Sequence, residues 1–298
     1  MLTTLELEAN LRIYAFLRLQ EIGPSYGYFP EPDKRILVVK DHNNERAKAY
    51  FEDLGFKVVR GSRYLRGFLG EASAQQTWVV KQTAKWADAV GELSMVAKRY
   101  LQAAYAGLTW SLQQEWQFLQ RVTDGLSLEF TKIEQALRTK FLPALFGNES
   151  VDDTRRQLTC LPVKCTGIAL PNQTQTANKN WNASTVVCGH LISALRGKEV
   201  FCSSDHQAIM ATGKAEIQKQ SIKDSEGTIE SLLRTLPDGK SRTIRRGRMT
   251  GAWLSVPPST INGTELLAQE FSDTLSMRYG EVQPTYLLYA TVAAPLLS

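Results

Sequence analysis

Two periodicities alternate along the first 72 residues. Leu5, Leu11, Ile13, Phe16, Leu17 and Leu19 form an apolar stripe at helical spacing, which predicts an amphipathic first helix. "RILVVK" (35–40) is a short β-branched run suited to a buried strand. "ERAKAYFEDLG" (45–55) reads as a helix closed by Gly55. "FKVV" (56–59) and "RYLRGFLG" (63–70) read as two further strands, with Gly61-Ser62 as the turn signal between them. The expected order is helix, strand, helix, strand, strand.

Past Gly70 the helical period takes over. Trp78, Val79, Trp86, Val90, Leu93 and Val96 recur on one face, and two more helices are expected around 101–121 and 126–145. Three helices with short joints predict a compact bundle. "PALFGNESVDD" (143–153) carries the strongest boundary signal. Beyond it come a short helix, the Pro/Gly loop "LPVKCTGIALPN" (161–172), polar helices near 178–195 and 205–235, a basic run and a last helix over 265–278. The fold class expected is α+β and predominantly helical, divided into 1–72 (α+β), 73–147 (helical bundle) and 148–298 (helical).

Composition narrows the partners without choosing one. The 298 residues are 43% hydrophobic and 22% charged, as in an ordinary globular protein, with a net charge of +5. A mildly basic balance permits a nucleic-acid partner and does not require one. The start "MLTTLELEANLRIYAFLRLQ" is charged throughout, unlike a secretory signal, and no apolar stretch is long enough to span a bilayer. Four cysteines in a chain of this size suggest a reduced compartment. An intracellular protein, cytoplasmic or nuclear and without a membrane, is expected; oligomeric state is not legible.

Several residue groups could carry chemistry. In "GYFPEPDKRILVV" (27–39) two prolines hold the loop extended and place Lys34 at its exit beside the strand. "RYLRGFLG" presents Tyr64 and Leu65, with Gly67 and Gly70 permitting a second backbone to approach closely. The run "GKSRTIRRGR" gathers Lys240, Arg242, Arg245, Arg246 and Arg248, either a solvated face or a set of phosphate contacts. Asp152-Asp153 is the sole Asp-Asp pair; with no aromatic two positions earlier and a helix following, it reads as an N-terminal cap. Cys160, Cys165, Cys188 and His190 lack the paired short knuckles of a zinc site, and no metal is expected there. His42 and His206 read as surface histidines. Trp78, Trp86, Trp110 and Trp116 could stack on bases but at helical spacing read as core.

Longer strings give these groups a common frame. "GPSYGYFPEPDKRILVV", "QAAYAGLTWSLQQEWQFLQR", "KFLPALFG", "LPVKCTGIALPNQT" and "TGAWLSVPPSTINGTELLAQEFSDTLSMRYG" follow one another in order. Over residues 5–280 the chain resembles the retrotransposon-type reverse transcriptases, from the palm edge through the primer grip to the thumb. The resemblance implies that residues 1–72 are a palm-edge remnant and 73–147 a thumb-like bundle. It implies that Lys34 belongs to the family's glycine-to-lysine loop, whose lysine protonates leaving pyrophosphate. Tyr64, Leu65 and Gly67 would then grip the primer end, although Arg66 interrupts the family's Tyr-Leu-Gly turn and Glu31-Pro32-Asp33 replaces its Asn-Pro-x. The partner implied is an RNA/DNA duplex.

Nucleotide transfer in that family needs magnesium held by palm aspartates, including an aromatic-x-Asp-Asp hairpin that precedes the first helix. No such sequence occurs in these residues. The expectation is a truncated, catalytically inactive reverse-transcriptase-like protein of a mobile element, with weak residual nucleic-acid binding. It would use no cofactor, and magnesium only if a separate palm domain complemented it. The alternative is an inert or protein-interacting helical domain.

Overall fold

A computed structural model describes residues 4–29, 35–147, 150–248 and 250–281, with side chains of the first helix from residue 13 onward. The architecture is α+β and predominantly helical, and its strands pair into two two-stranded sheets. The chain divides into two compact units, Met1–Trp78 and Val79–Ser298.

In the first unit helix α1 (Thr4–Ile22) leads through a 3-10 turn (Gly23–Tyr26) toward strand β1 (Ile36–Val38). Helix α2 (Asn44–Phe51) then crosses to β2 (Lys57–Val59), which pairs parallel to β1 with Leu37 opposite Val58. Such a parallel pair needs the crossover helix, and the α2 sequence supplies Ala47 and Phe51 as its buried face. Phe56 meets Phe16 and Phe51 edge to face, at 4.7 and 5.6 Å between ring centroids. The Arg35 guanidinium lies 4.9 Å over the Phe16 ring and donates to the Leu54 carbonyl.

Strands β3 (Gly61–Tyr64) and β4 (Gly67–Gly70) form an antiparallel hairpin. The expected turn at Gly61-Ser62 is therefore a strand, and "RYLRGFLG" is not one strand but the two arms around a turn at Leu65-Arg66. Among the described side chains of this unit, Ala47 and Phe51 are the hydrophobic residues that are fully buried.

The second unit contains the larger core. Helix α3 (Ala72–Ala97) buries Val79, Thr83, Trp86, Val90, Ser94 and Ala97, a stripe stepping by three and four residues. Thr83 and Ser94 satisfy their hydroxyls on the Val80 and Gly91 carbonyls within the helix. Helices α4 (Leu101–Gly107) and α5 (Gln113–Val122) are joined by a π-helical turn over Leu108–Leu112. A second π turn, Leu137–Phe141, joins α6 (Thr131–Ala136) to α7 (Leu142–Leu145). Trp116, Ile133, Leu137, Phe141, Leu142 and Leu145 are at or near zero exposure and form the centre of the bundle.

Helices α8 (Asp153–Cys160), α9 (Gln173–Leu195), α10 (Ser203–Thr235), α11 (Asp238–Gly247) and α12 (Ala268–Arg278) continue the same body. Phe146 packs on Tyr279 at 5.7 Å, Arg155 pairs with Glu281, and Arg156 pairs with Glu134. Packing thus crosses the expected 147/148 division, so 73–147 and 148–298 do not form separate bodies, and the one division falls at 78/79 rather than 72/73.

The loop Leu161–Pro171 is buried between these helices, and a buried loop must find partners for its carbonyls. Leu161, Pro162 and Val163 accept backbone amides within the loop, and several of the others accept side-chain donors. Tyr105 donates to Ile168, Gln113 to Ala169, and Arg156 to Leu170 and Pro171. Arg278, 4% exposed and with no carboxylate beside it among the described residues, donates to the Val163 and Thr166 carbonyls and to that of Gly247 in α11, at 2.6–3.1 Å. Burial lowers its pKa, yet a guanidinium remains charged under any ordinary condition. Gly251 makes room for it: a Cβ there would lie 2.6 Å from Val163 and 2.8 Å from the guanidinium.

Arg278→Met should therefore destabilise the second unit by about 3 kcal/mol or more, because charge-assisted bonds vanish and buried carbonyls are orphaned. Arg278→Lys should recover less than half of that loss, since an ammonium cannot fork to three carbonyls. Urea unfolding followed by circular dichroism measures both.

Candidate nucleic-acid interface

The hairpin β3–β4 pairs Gly61 with Gly70, Ser62 with Leu69, Arg63 with Phe68 and Tyr64 with Gly67. This register leaves a two-residue loop, Leu65-Arg66, with φ of 45° and 65°. Two consecutive left-handed residues are the signature of a type I′ turn, which normally takes Asn-Gly. Leucine and arginine in that region cost about 1–3 kcal/mol each, and such strain clusters at functional sites. The tip is also exposed: Tyr64 at 60% and Leu65 at 75%, with Arg63 and Arg66 beside them open to solvent.

Beneath the tip, Phe68 stacks on Trp78 at 5.4 Å and anchors one strand. Gly70 meets a close backbone, as expected, but the neighbour is the hairpin's own base. A Cβ on Gly70 would lie 2.3 Å from the Gly61 Cα and 2.4 Å from the Arg60 carbonyl oxygen. The tip is therefore a solvent-facing group of two cations, an aromatic ring and an aliphatic side chain. Sequence reasoning found Tyr64, Leu65 and Gly67 but passed over Arg63 and Arg66 as partners. The signal for them was the interrupted turn itself.

The basic run forms most of helix α11, in which Ile244 and Gly247 bury one face. Asp238 in its first turn and Arg245 and Arg246 in its last complement the helix dipole. Arg242, Arg245 and Arg246 share the exposed face, whereas Lys240 and Arg248 are half-buried. Arg245 is paired with Glu230 at 2.9 Å and Lys240 lies 3.6 Å from Glu281. Arg242 donates to its own helix at the Asp238 carbonyl. The five expected residues thus reduce to three outward arginines, one of which already holds a carboxylate. The hairpin belongs to the first unit and this face to the second. Lys34 lies outside the described residues.

The remaining candidates have structural partners. Asp152 caps α8 by accepting from the Arg155 amide, and Asp153 pairs with Arg138 at 2.6 Å. Among the described residues no three histidine, cysteine or carboxylate side chains are placed to hold an ion. Cys165 is buried, and His190 contacts Glu199 and packs against Phe201 and His206. His206 is consequently half-buried rather than a plain surface histidine. Trp86 and Trp116 are core, meeting edge to face at 6.4 Å; Trp78 is half-buried, and Trp110, in the first π turn, is 46% exposed.

No family model matches the chain, and no curated protein or solved structure is significantly similar to it.

Replacing Leu65-Arg66 by Asn-Gly should relieve the turn. We expect the amides of Arg63–Phe68 to exchange at least about fivefold more slowly, corresponding to 1 kcal/mol or more of added local stability. Hydrogen–deuterium exchange by mass spectrometry reads this directly; unchanged exchange would mean that the tip is not strained.

Proposed function

We propose that this chain is a reverse-transcriptase-like region that grips an RNA/DNA duplex without transferring nucleotides itself. The carrying observation is the hairpin tip, where a strained turn holds Tyr64, Leu65, Arg63 and Arg66 out into solvent. An aromatic ring flanked by cations suits a nucleic-acid end, because the ring stacks on a base while the cations neutralise phosphates. The outward arginines of α11 supply a second set of phosphate contacts. The sole Asp-Asp pair is engaged in capping a helix and binding Arg138, which supports a role without phosphoryl transfer. The resemblance of the long sequence strings to mobile-element reverse transcriptases agrees with this reading.

A second reading, docking to another protein, is favoured by the apolar surface of the first unit. Tyr14, Tyr26 and Phe29 are exposed at 68%, 84% and 70%.

Salt dependence separates the two. Binding of the full chain to an RNA/DNA hybrid, followed by fluorescence anisotropy, should weaken linearly in log–log form, with a slope of about −0.9 per phosphate contact. Arg245→Ala with Arg246→Ala should flatten that slope by about one to two units. Tyr64→Ala should weaken binding by about 1–3 kcal/mol and leave the slope unchanged, since it removes stacking and no charge. Absence of salt-dependent binding would overturn the duplex reading in favour of protein docking.

A further inference from the structure

In the second unit, the loop between the 3-10 turn Ala252–Ser255 and α12 contains Asn262-Gly263, the one place in this chain where glycine follows asparagine. Thr260–Gly263 forms a turn whose closing bond is long, the Gly263 amide donating to the Thr260 carbonyl at 3.3 Å. Asn262 and Gly263 are both exposed, and Gly263 has φ of 64°, a conformation that suits a residue without a Cβ. A Cβ built on Gly263 would meet nothing within 4 Å, so that side of its amide is open to solvent. The Asn262 main-chain amide donates to Ser259 Oγ at 3.2 Å, but its carboxamide is bonded to no group among the described residues.

The chain on either side of this pair is held. The Thr264 amide donates to the Ser259 carbonyl at 3.0 Å, and the Thr264 hydroxyl to that of Pro257 at 2.7 Å. Gln102, 6% exposed, clamps the next residues by donating to the Thr264 carbonyl and accepting from the Leu266 amide. A free carboxamide and a loosely bonded glycine amide are thus neighbours on an anchored turn.

Other asparagines lack this combination. Asn178 and Asn182 are exposed but lie inside α9, where the helix commits the amide that follows each of them to its own ladder. Asn172 caps α9 by accepting from the Thr174 and Gln175 amides, and Asn180 donates to Gln120.

We propose that Asn262 is a site of spontaneous deamidation and main-chain isomerisation. The Gly263 amide nitrogen loses its proton and attacks Asn262 Cγ. The new C–N bond closes a succinimide, the Cγ–Nδ2 bond breaks, and the nitrogen leaves as ammonia. Water then adds to one of the two imide carbonyls. Cleavage at Cγ leaves aspartate in an ordinary chain; cleavage at the main-chain carbonyl leaves isoaspartate, with the chain routed through Cγ. No oxidant or reductant is needed. Either product adds a carboxylate to a loop that already carries Glu265, and isoaspartate also lengthens the chain inside the bond from Thr264 to Ser259. The loop shares no residue with the hairpin tip or with the outward arginines of α11, so the inference stands whether or not the chain grips a duplex.

Incubation of the full chain in warm, mildly alkaline buffer, followed by peptide mapping with mass spectrometry, tests this. Asn262 should convert at least about tenfold faster than Asn182, whose amide neighbour is protected by its helix. Labelling with an isoaspartate-specific methyltransferase should place isoaspartate at position 262. Gly263→Ala should slow the conversion at least about tenfold and leave helical content unchanged, because a Cβ hinders closure of the imide. If alanine shifts the turn instead, the comparison of Asn262 with Asn182 in one digest of the unaltered chain remains decisive. Conversion at Asn262 no faster than at Asn182, or aspartate formed without isoaspartate, would overturn the proposal.

Discussion

The second unit depends on how the carbonyls of one buried loop are satisfied. A sheet or helix would saturate these groups internally; in Leu161–Pro171 the carbonyls of Leu161, Pro162 and Val163 accept backbone amides of the same loop, and side chains from distant helices supply donors to Thr166, Ile168, Ala169, Leu170 and Pro171. Arg278 bonds two loop carbonyls, Val163 and Thr166, and adds the Gly247 carbonyl at the end of α11. Because its partners are carbonyls rather than a carboxylate, it ties α12 to the loop by direction rather than by charge neutralisation. Arg156 does the complementary work, gripping Glu134 at 2.6 Å on one side and the carbonyls of Leu170 and Pro171 on the other. The two guanidiniums hold both halves of the loop, through Val163 and Thr166 on one side and Leu170 and Pro171 on the other.

The two units differ in what they ask of their side chains. In the second, a large apolar set that includes Trp116, Ile133 and Phe141 is enclosed. In the first, tyrosines and phenylalanine stand in solvent and the best-formed feature is a hairpin whose turn residues oppose its geometry. Locally unfavourable residues in an otherwise consistent chain are where function is expected to have overridden folding preference.

The sequence made some of this visible. The α3 stripe was readable because Val79, Trp86 and Val90 keep helical spacing and have no competing signal. The Asp152 cap was equally readable, since the interaction is confined to one turn. The hairpin turn was misplaced because Gly61-Ser62 carries a strong turn propensity and Leu65-Arg66 carries none, whereas the register is set by Phe68 docking on Trp78. The basic run gave little sign of its helix because that helix buries only one large apolar side chain, Ile244. The donors to the buried loop stand at 105, 113, 156 and 278, separations over which no local pattern extends.

The π turn at Leu108–Leu112 explains how two of those donors reach neighbouring carbonyls. Tyr105 and Gln113 are eight positions apart, and in a straight α-helix eight positions diverge by about 80° around the axis. Yet both point at the loop, donating to Ile168 and Ala169 in succession. A π turn holds extra backbone within one revolution, so it winds the excess away and returns Gln113 to the face that Tyr105 occupies. The helix thereby acts as a length compensator. Removing a single residue from the wide turn would restore ordinary winding and a seven-residue spacing, with both side chains still facing the loop. A rod with this property tolerates a one-residue change in length without losing its alignment, which an unbroken α-helix at the same place would not.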